Sequence, residues 1–513
     1  MNLFFLNMEQ AKSTFYIKTF GCQMNVADSE RMTALLAEQG MAPAEGPGDA
    51  NLIILNGCTV REKAVHKAVS ALGEFELQRK KQGQAKQRLI GVGGCVGQLD
   101  RENLFKRAPY VDFVFGTDAI DQLPEILHRV RHGERHVVYA DFDSSMNYST
   151  ETKVFGFKAQ AFVNIMKGCD KFCTYCIVPF TRGREKSRVI DEVVSDIARL
   201  VASGVREVTL LGQNVNSFGK GNQNVRVREP QDLHNIIGKV GPKTGEENFP
   251  QLLRAIDSDP RCAALRRIRF TSSHPLDFSE ELIDCYASPE KGGVARLSPH
   301  LHLPVQTGSD RVLQKMGRHH KIGAYIEQMD RLREISPDVG LSTDLIVGFP
   351  TETEEDFEAT LALLDRIQFD HIFAFAYSVR PGTRAAKIPD DVSAEIKNRR
   401  LNQVLQHQLK IAERRYAARV GRVMELLVEG EAKNQNMVHR AQAEGLSGAR
   451  VWTGRTGCNR VVNFISRVPR NLAGKFISVK ITGSSGLSLQ GELVIDSGTL
   501  GFQEDFERDE VSA

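Results

Sequence analysis

Two hydrophobic rhythms alternate through most of this chain. Short apolar runs bounded by glycine and small polar residues read as buried strands, and longer stretches with apolar residues at helical spacing read as helices. In the first part, Phe15–Phe20, Leu52–Leu55, Arg88–Val92 and Val111–Phe115 are the strand candidates. Asp28–Gln39, closed by Gly40, and Arg61–Lys81 are the helix candidates. The alternation predicts a doubly wound parallel sheet over residues 13–132. Residues 133–158, with Asp141, Asp143, Ser144, Ser145 and Ser149, are polar and aperiodic and read as a linker.

The same rhythm resumes over 159–412. The strand candidates are Val163–Met166, Glu207–Leu211, Arg267–Thr271, His300–Val305, Leu341–Val347 and His371–Ala376. Helices fall between them at Asp191–Ala202, Ser279–Tyr286, Asp310–Met316, Ile322–Ile335 and Thr353–Ile367. Such βα units predict a partial (β/α)6 barrel, whose active face is the carboxyl end of its strands. Residues 220–250 are long and polar for one connection and read as an insertion. Over 415–498 the pattern changes to short alternating strands: Arg422–Gly430, Val451–Thr456, Arg460–Phe464, Phe476–Thr482 and Leu487–Val494. These predict a small β-barrel of the OB type, with a loop insertion at 431–450 and an acidic, disordered tail at 503–513.

Composition narrows the class. The chain has 513 residues, 41% hydrophobic and 26% charged, with no run long enough to span a bilayer. Met1–Leu6 is too short for a signal segment and lacks a basic start, so the expected location is the cytoplasm; the expected state is a monomer. The net charge of +3 is too weak to argue nucleic-acid binding by itself. The charge is uneven, however. Lys397, Arg399, Arg400, Lys410, Arg414, Arg415, Arg419 and Arg422 crowd one segment with Glu413 as its only acid. Such a run is either a solvated helix face or a nucleic-acid surface.

Nine cysteines in clustered motifs argue for metal ligation in a reducing compartment. Cys169, Cys173 and Cys176 lie in one loop, Lys167-Gly168-Cys169-Asp170-Lys171-Phe172-Cys173-Thr174-Tyr175-Cys176, just after the first strand of the central part. Thiolates this close suit zinc or an iron–sulfur cluster, and spacing alone does not choose between them. Three ligands leave one metal position open. Cys22, Cys58 and Cys95 each follow a strand and a glycine, one βα unit apart. In an open parallel sheet such strand ends share one edge, so these cysteines converge on a second incomplete site. Cys262, Cys285 and Cys458 have no ligand-like neighbours. Polar groups end the other central strands: Gln213 and Asn214, Ser273 and His274, Gln306, and Asp344 within Ser342–Pro350. Any one of them also serves as an ordinary turn or helix cap, and His274, His300 and His302 read best as turn or core histidines.

The central loop resembles the signature of radical S-adenosylmethionine enzymes. Thr19–Asn25, Asn56–Ala64 and Gly94–Gln98 resemble the three N-terminal motifs of the methylthiotransferases in that group, with Gly57 where threonine is commoner. The resemblance spans nearly the whole chain. It implies a 4Fe–4S cluster on Cys169, Cys173 and Cys176 that binds S-adenosylmethionine and cleaves it. It also implies an auxiliary 4Fe–4S cluster on Cys22, Cys58 and Cys95 that supplies sulfur. Gln213, Asn214, Ser273, Gln306 and Asp344 are expected to line the S-adenosylmethionine and substrate pocket. The C-terminal segment resembles the TRAM domain, which implies RNA binding through Arg455, Arg460, Lys475 and Lys480, with Trp452 and Phe464 stacking or filling the core. Gly21–Asn25 and Val60–Ala64 look most like the branch that acts on N6-isopentenyladenosine next to the anticodon in tRNA. Sister branches modify threonylcarbamoyl-adenosine or a ribosomal-protein aspartate. A flavodoxin- or ferredoxin-like electron donor is implied. The competing class is a non-catalytic iron–sulfur or zinc protein that binds RNA.

Overall fold

The protein is described from a computed structural model covering residues 13–59, 62–81, 88–142, 152, 158–219, 247–432, 450–466 and 470–494. The expected start of the second helix at Arg61, the linker residues Asp143, Ser144, Ser145 and Ser149, most of both insertions, and the acidic tail lie outside these residues.

The N-terminal domain is a six-stranded, wholly parallel sheet in the order β2-β1-β3-β4-β5-β6. Its strands are β1 (Thr14–Phe20), β2 (Ala42–Pro43), β3 (Leu52–Gly57), β4 (Leu89–Gly93), β5 (Phe113–Phe115) and β6 (Val137–Tyr139). Its helices are α1 (Gln23–Glu38), α2 (Glu62–Lys81), α3 (Gly94–Asp100), α4 (Asn103–Arg107) and α5 (Leu123–Arg131). Two apolar layers cover the sheet. Met32 and Leu36 of α1 pack with Leu123, Ile126 and Leu127 of α5 on one face. Leu72 and Phe75 of α2 pack with Leu104 of α4 on the other. The chain leaves β1 first toward β2 and then toward β3, so a topological switch point falls at β1 and β3.

Two expectations are corrected. The linker does not begin at 133, because Val137–Tyr139 pairs with β5 as a sixth strand. The first helix begins five residues before Asp28, directly after Cys22. Its first turns bury Met24, Asn25, Ala27 and Asp28, a mixture of polar and apolar residues that hides the helical period.

The central domain has the six expected strands, β7 (Gln160–Asn164), β10 (Glu207–Leu211), β11 (Arg267–Phe270), β12 (His300–His302), β13 (Gly340–Val347) and β14 (His371–Ala376), once the short antiparallel pair β8 (Met166–Lys167) and β9 (Lys186–Ser187) is set aside. They form two three-stranded parallel sheets, β7-β10-β11 and β12-β13-β14, rather than one. Residues 296–298 close the gap: Ile268 N donates to Arg296 O at 2.7 Å and Ser298 N to Ile268 O at 2.9 Å. Helix α6 (Val178–Arg182) follows the cysteine loop and packs on α3, while the outer surface carries α7 (Ile190–Ala202), α8 (Phe249–Ser258), α9 (Glu280–Asp284), α10 (Asp310–Lys315), α11 (Ile322–Ile335), α12 (Glu354–Ile367) and α13 (Ala394–Ala417). Capping starts them in place: Asn248 with Gln251 on α8 and Thr353 with Asp356 on α12 form reciprocal caps. The α8 cap also ends the predicted insertion at 248. No helix among the described residues is long and apolar enough to cross a membrane.

The C-terminal strands β15 (Val423–Glu431), β16 (Arg450–Thr456), β17 (Val461–Ser466), β18 (Phe476–Ser484) and β19 (Leu489–Leu493) close into a barrel in the order β15-β16-β17-β19-β18. Trp452 and Phe464 fill its core and do not face solvent. The turn between β16 and β17 sits against the amino ends of the central strands. Arg267 donates to Arg455 O at 3.0 Å, and Arg269 to Thr456 O at 2.7 Å and Gly457 O at 2.9 Å. Arg460 is buried against Asp370, which also holds Arg415 at 2.9 Å, so Arg460 is a docking residue and not part of an RNA surface. Much of the basic run is spent the same way. Lys397 pairs with Asp390, Arg400 with Glu352 and Glu354, and Arg419 and Arg422 with Asp338. The helix that carries the run also crosses the expected boundary near 412–415.

Burial opposes ionisation of Asp370, yet Arg460 and Arg415 hold its carboxyl below its ordinary value. Asp370 therefore stabilises the docked barrel above the ordinary carboxylate range, and that contribution fades as pH falls toward its native value. Asp370→Asn leaves Arg460 buried without a countercharge. The expected cost is about 3–5 kcal/mol, read as a lower urea midpoint at neutral pH.

Candidate active site

Both cysteine triads stand at carboxyl edges of parallel sheets. In the N-terminal domain, Phe20 lies opposite Gly57 and Asn56 opposite Gly93, so β1, β3 and β4 end level. Cys22, Cys58 and Cys95 follow these ends and face one another. Cys58 hydrogen-bonds Cys22, and Cys22 and Cys95 feel each other's charge. Two glycines permit the approach. A Cβ on Gly21 would lie 2.7 Å from Cys58 Cβ, and one on Gly94 (φ +76°) would lie 2.2 Å from Asn56 Oδ1. Asn25 and Asn56, both fully buried, pin two of the strand ends: Asn25 Nδ2 donates to Asn56 Oδ1 at 3.1 Å, and Asn56 Nδ2 to Asn25 O at 2.8 Å.

The second triad sits in the loop after β7 and β8, strapped on every side. Cys169 N donates to Gly183 O at 3.2 Å and Cys176 N to Cys173 O at 3.0 Å. Arg184 grips Asp170 through two bonds and lies over the Phe172 ring. Lys171 pairs with Asp277 at 2.6 Å, Arg384 donates to Phe172 O at 2.6 Å, and Thr174 N to Met316 O at 2.8 Å. Tyr175 packs with Phe349, Met316 and Tyr377. The basic turn Arg182–Arg188 thus serves the interior, with Arg188 paired to Asp196 at 2.9 Å.

The thiols differ in their electrostatics. Cys22, which is exposed, is drawn down to about 6 by the Cys58 side chain, with Arg182 acting in the same direction. Burial pushes Cys95 up, opposed by Arg182. Burial, then Glu185 and the other two thiols, push Cys169 far up; burial and Cys173 push Cys176 up to about 12. Arg318 is buried beside this triad, its Nη1 3.9 Å from Cys173 Sγ. Among the described residues, no three Cys, His or carboxylate side chains form a ready cage for a single metal ion.

Around the second triad stands a rim of buried polar atoms without hydrogen-bond partners. They include Asn164 Oδ1, Gln213 Nε2, Asn214 Oδ1, both amide atoms of Asn216, Ser273 Oγ, His274 Nε2 and both nitrogens of His320. An unmet buried polar group costs about 1–3 kcal/mol, so such a concentration fits a polar ligand. The rim also carries strained backbone, with Phe172, Ser272 and Gln306 at positive φ. Of the expected pocket residues, Gln213 accepts from Gly168 N, and Asn214 donates to Asp277 at 2.7 Å. Gln306 N donates to Asp344 O at 2.9 Å, and the Asp344 carboxylate lies 3.5 Å from His302. His274 accepts from Leu276 N as a turn cap, and His300 and His302 bond Ser342 Oγ. Cys262 and Cys285 are core residues, and Cys458 is buried beside Arg460.

Sequence reasoning missed Asn25, Asn56, Arg182, Asp28 and Arg318. Asn25 and Asn56 stood inside quoted motifs, but nothing in the one-dimensional pattern says which way a side chain turns.

A three-cysteine loop on the carboxyl rim of a parallel partial barrel defines the class, and the sequence pattern of the Radical SAM superfamily matches residues 163–364. That of the Uncharacterized protein family UPF0004 matches residues 14–116, which hold the other triad. The chain is 41% identical over 479 residues to the tRNA-2-methylthio-N(6)-dimethylallyladenosine synthase of Bdellovibrio bacteriovorus, covering 93% of this chain and 95% of that protein. The synthase of the same name from Methylibium petroleiphilum is 43% identical over 484 residues, covering 94% and 96%. The chain belongs to the family of these synthases, within the radical S-adenosylmethionine superfamily. Its cofactors are those of the family, S-adenosylmethionine and 4Fe–4S clusters.

A Cβ on Gly168 (φ +78°) would lie 2.0 Å from Arg184 O, so Gly168→Ala must displace the cysteine loop. Protein reconstituted with iron and sulfide should fall from about eight iron atoms per chain to about four, by metal analysis.

Proposed function

We propose that this chain is a tRNA methylthiotransferase that replaces the hydrogen at C2 of N6-isopentenyladenosine, next to the anticodon, with a methylthio group. The observation that carries this reading is the pair of cysteine triads, each at the carboxyl edge of a parallel sheet, in a chain of this family. Cys169, Cys173 and Cys176 would hold the cluster that takes S-adenosylmethionine, and Cys22, Cys58 and Cys95 the auxiliary one. Loaded in this way, the site supplies one electron to cleave S-adenosylmethionine to methionine and a 5′-deoxyadenosyl radical, and supplies the sulfur that enters at C2.

The protein's own part is placement. The unpartnered atoms of Gln213, Asn214 and Ser273 support a role in binding the polar parts of S-adenosylmethionine, with Gln306 and Asp344 beside them. Arg318, buried against Cys173, would offset thiolate charge there. The docked C-terminal barrel would carry RNA on surfaces other than Arg460, Trp452 and Phe464, with exposed Lys480 as one contact. The same reading takes in a flavodoxin- or ferredoxin-like electron donor, a monomer and the cytoplasm.

The test is nucleoside mass spectrometry after anaerobic incubation of isopentenylated tRNA with reconstituted protein, S-adenosylmethionine and a reductant. Gain of a methylthio group on the isopentenyladenosine is the expected result. 5′-Deoxyadenosine without that gain would move the substrate to threonylcarbamoyl-adenosine or a ribosomal protein. Cys173→Ala should abolish 5′-deoxyadenosine formation. Cys58→Ala should abolish thiolation while part of the cleavage survives.

A further inference from the structure

Arg182 belongs to the central domain but ends inside the sulfur site of the N-terminal one. It closes α6, which begins two residues after Cys176, so five residues separate that cysteine from Arg182. α6 packs on α3, whose second residue is Cys95. Arg182 is 4% exposed, and its guanidinium donates to Asp28 Oδ2 of α1 at 2.6 Å. The packing of α6 on α3 sets it beside Cys95, and its charge draws the Cys95 and Cys22 thiols down. The residues on either side fix it. Thr117 Oγ1 donates to Thr181 O at 2.8 Å, and Gly183 O accepts from Cys169 N. Adjacent residues therefore touch a cysteine of each triad.

We propose that Arg182, oriented by Asp28, is a positioning residue of the N-terminal triad: it supplies from the central domain the positive charge that balances the thiolates of Cys22 and Cys95. This rests on the reading that the triad holds an iron–sulfur cluster. Cys95 is buried, where thiolate charge is costly unless paired, and nearby charge sets how readily such a cluster accepts an electron. A guanidinium suits the place because its fork serves a carboxylate and a sulfur together. The N-terminal site is then electrostatically complete only when the two domains are docked.

The experiment uses the full chain with Cys169, Cys173 and Cys176 replaced by alanine, so that iron binds only at the N-terminal triad. Into this parent go Arg182→Gln, Arg182→Lys or Asp28→Asn. Each protein is reconstituted and titrated with dithionite while the reduced-cluster EPR signal is followed. Arg182→Gln should raise the oxidised-to-reduced ratio at the parent's midpoint about tenfold, a fall of about 59 mV for one electron. Arg182→Lys should recover at least half of that shift. Asp28→Asn should move the midpoint the opposite way, which mere loosening of the interface would not do. An Arg182→Gln midpoint equal to the parent's, or shifts of the same sign in Arg182→Gln and Asp28→Asn, would overturn the proposal. If Arg182→Gln binds no iron, the sign of the Asp28→Asn shift decides it. A parent that binds no iron would instead refute the auxiliary-cluster reading, and this inference with it.

Discussion

The parallel hydrogen-bond register is the constraint from which the rest of the site follows. Because Phe20 pairs with Gly57 and Asn56 with Gly93, three strands end on one line. Whatever follows them arrives at the same edge, however distant in sequence. The cost is crowding, and it is met by residues with little or no side chain at Gly21 and Gly94, and by the Asn25–Asn56 amide pair that bonds the converging ends to each other. The central domain uses the same geometry once, placing its loop after the first strand and its polar rim after the others.

What brings the two edges together is the first turn of α1. Met24 and Ala27 pack against Phe162 and Leu211 of the central sheet, so the helix that starts at one cysteine is also part of the domain interface. Buried pairs complete it, Arg182 with Asp28 and Lys167 with Asp118. Removing one partner of such a pair strands a charge in a poorly solvated place, which makes the relative position of the triads costly to change.

The arginines show how composition misleads when read along a line. The basic stretch of α13 reads along the chain as a solvated face or a surface for nucleic acid, and the turn Arg182–Arg188 is as densely charged. Most of these side chains instead reach carboxylates or carbonyls across element boundaries, as Arg184 does to Asp170 and Arg400 to Glu352. Their acids lie far away in sequence or on other elements, so the local charge excess is neutralised only in three dimensions.

The central strands, most of the helices and the five strands of the barrel were legible in the sequence, because burial on a sheet or helix face imposes a period, and the two sets of three cysteines stood out by their spacing. β2 and β6 were not, being too short to show a period, and the start of α1 was masked by polar residues that the interface buries. Tertiary structure alone decided the roles that depend on direction. It sent Arg182 into the neighbouring domain, turned Trp452 and Phe464 into the barrel core, and spent Arg460 on Asp370. A sequence records which groups a chain carries and how often they recur, whereas the partner of a long charged side chain depends on which surfaces the packed elements leave within its reach.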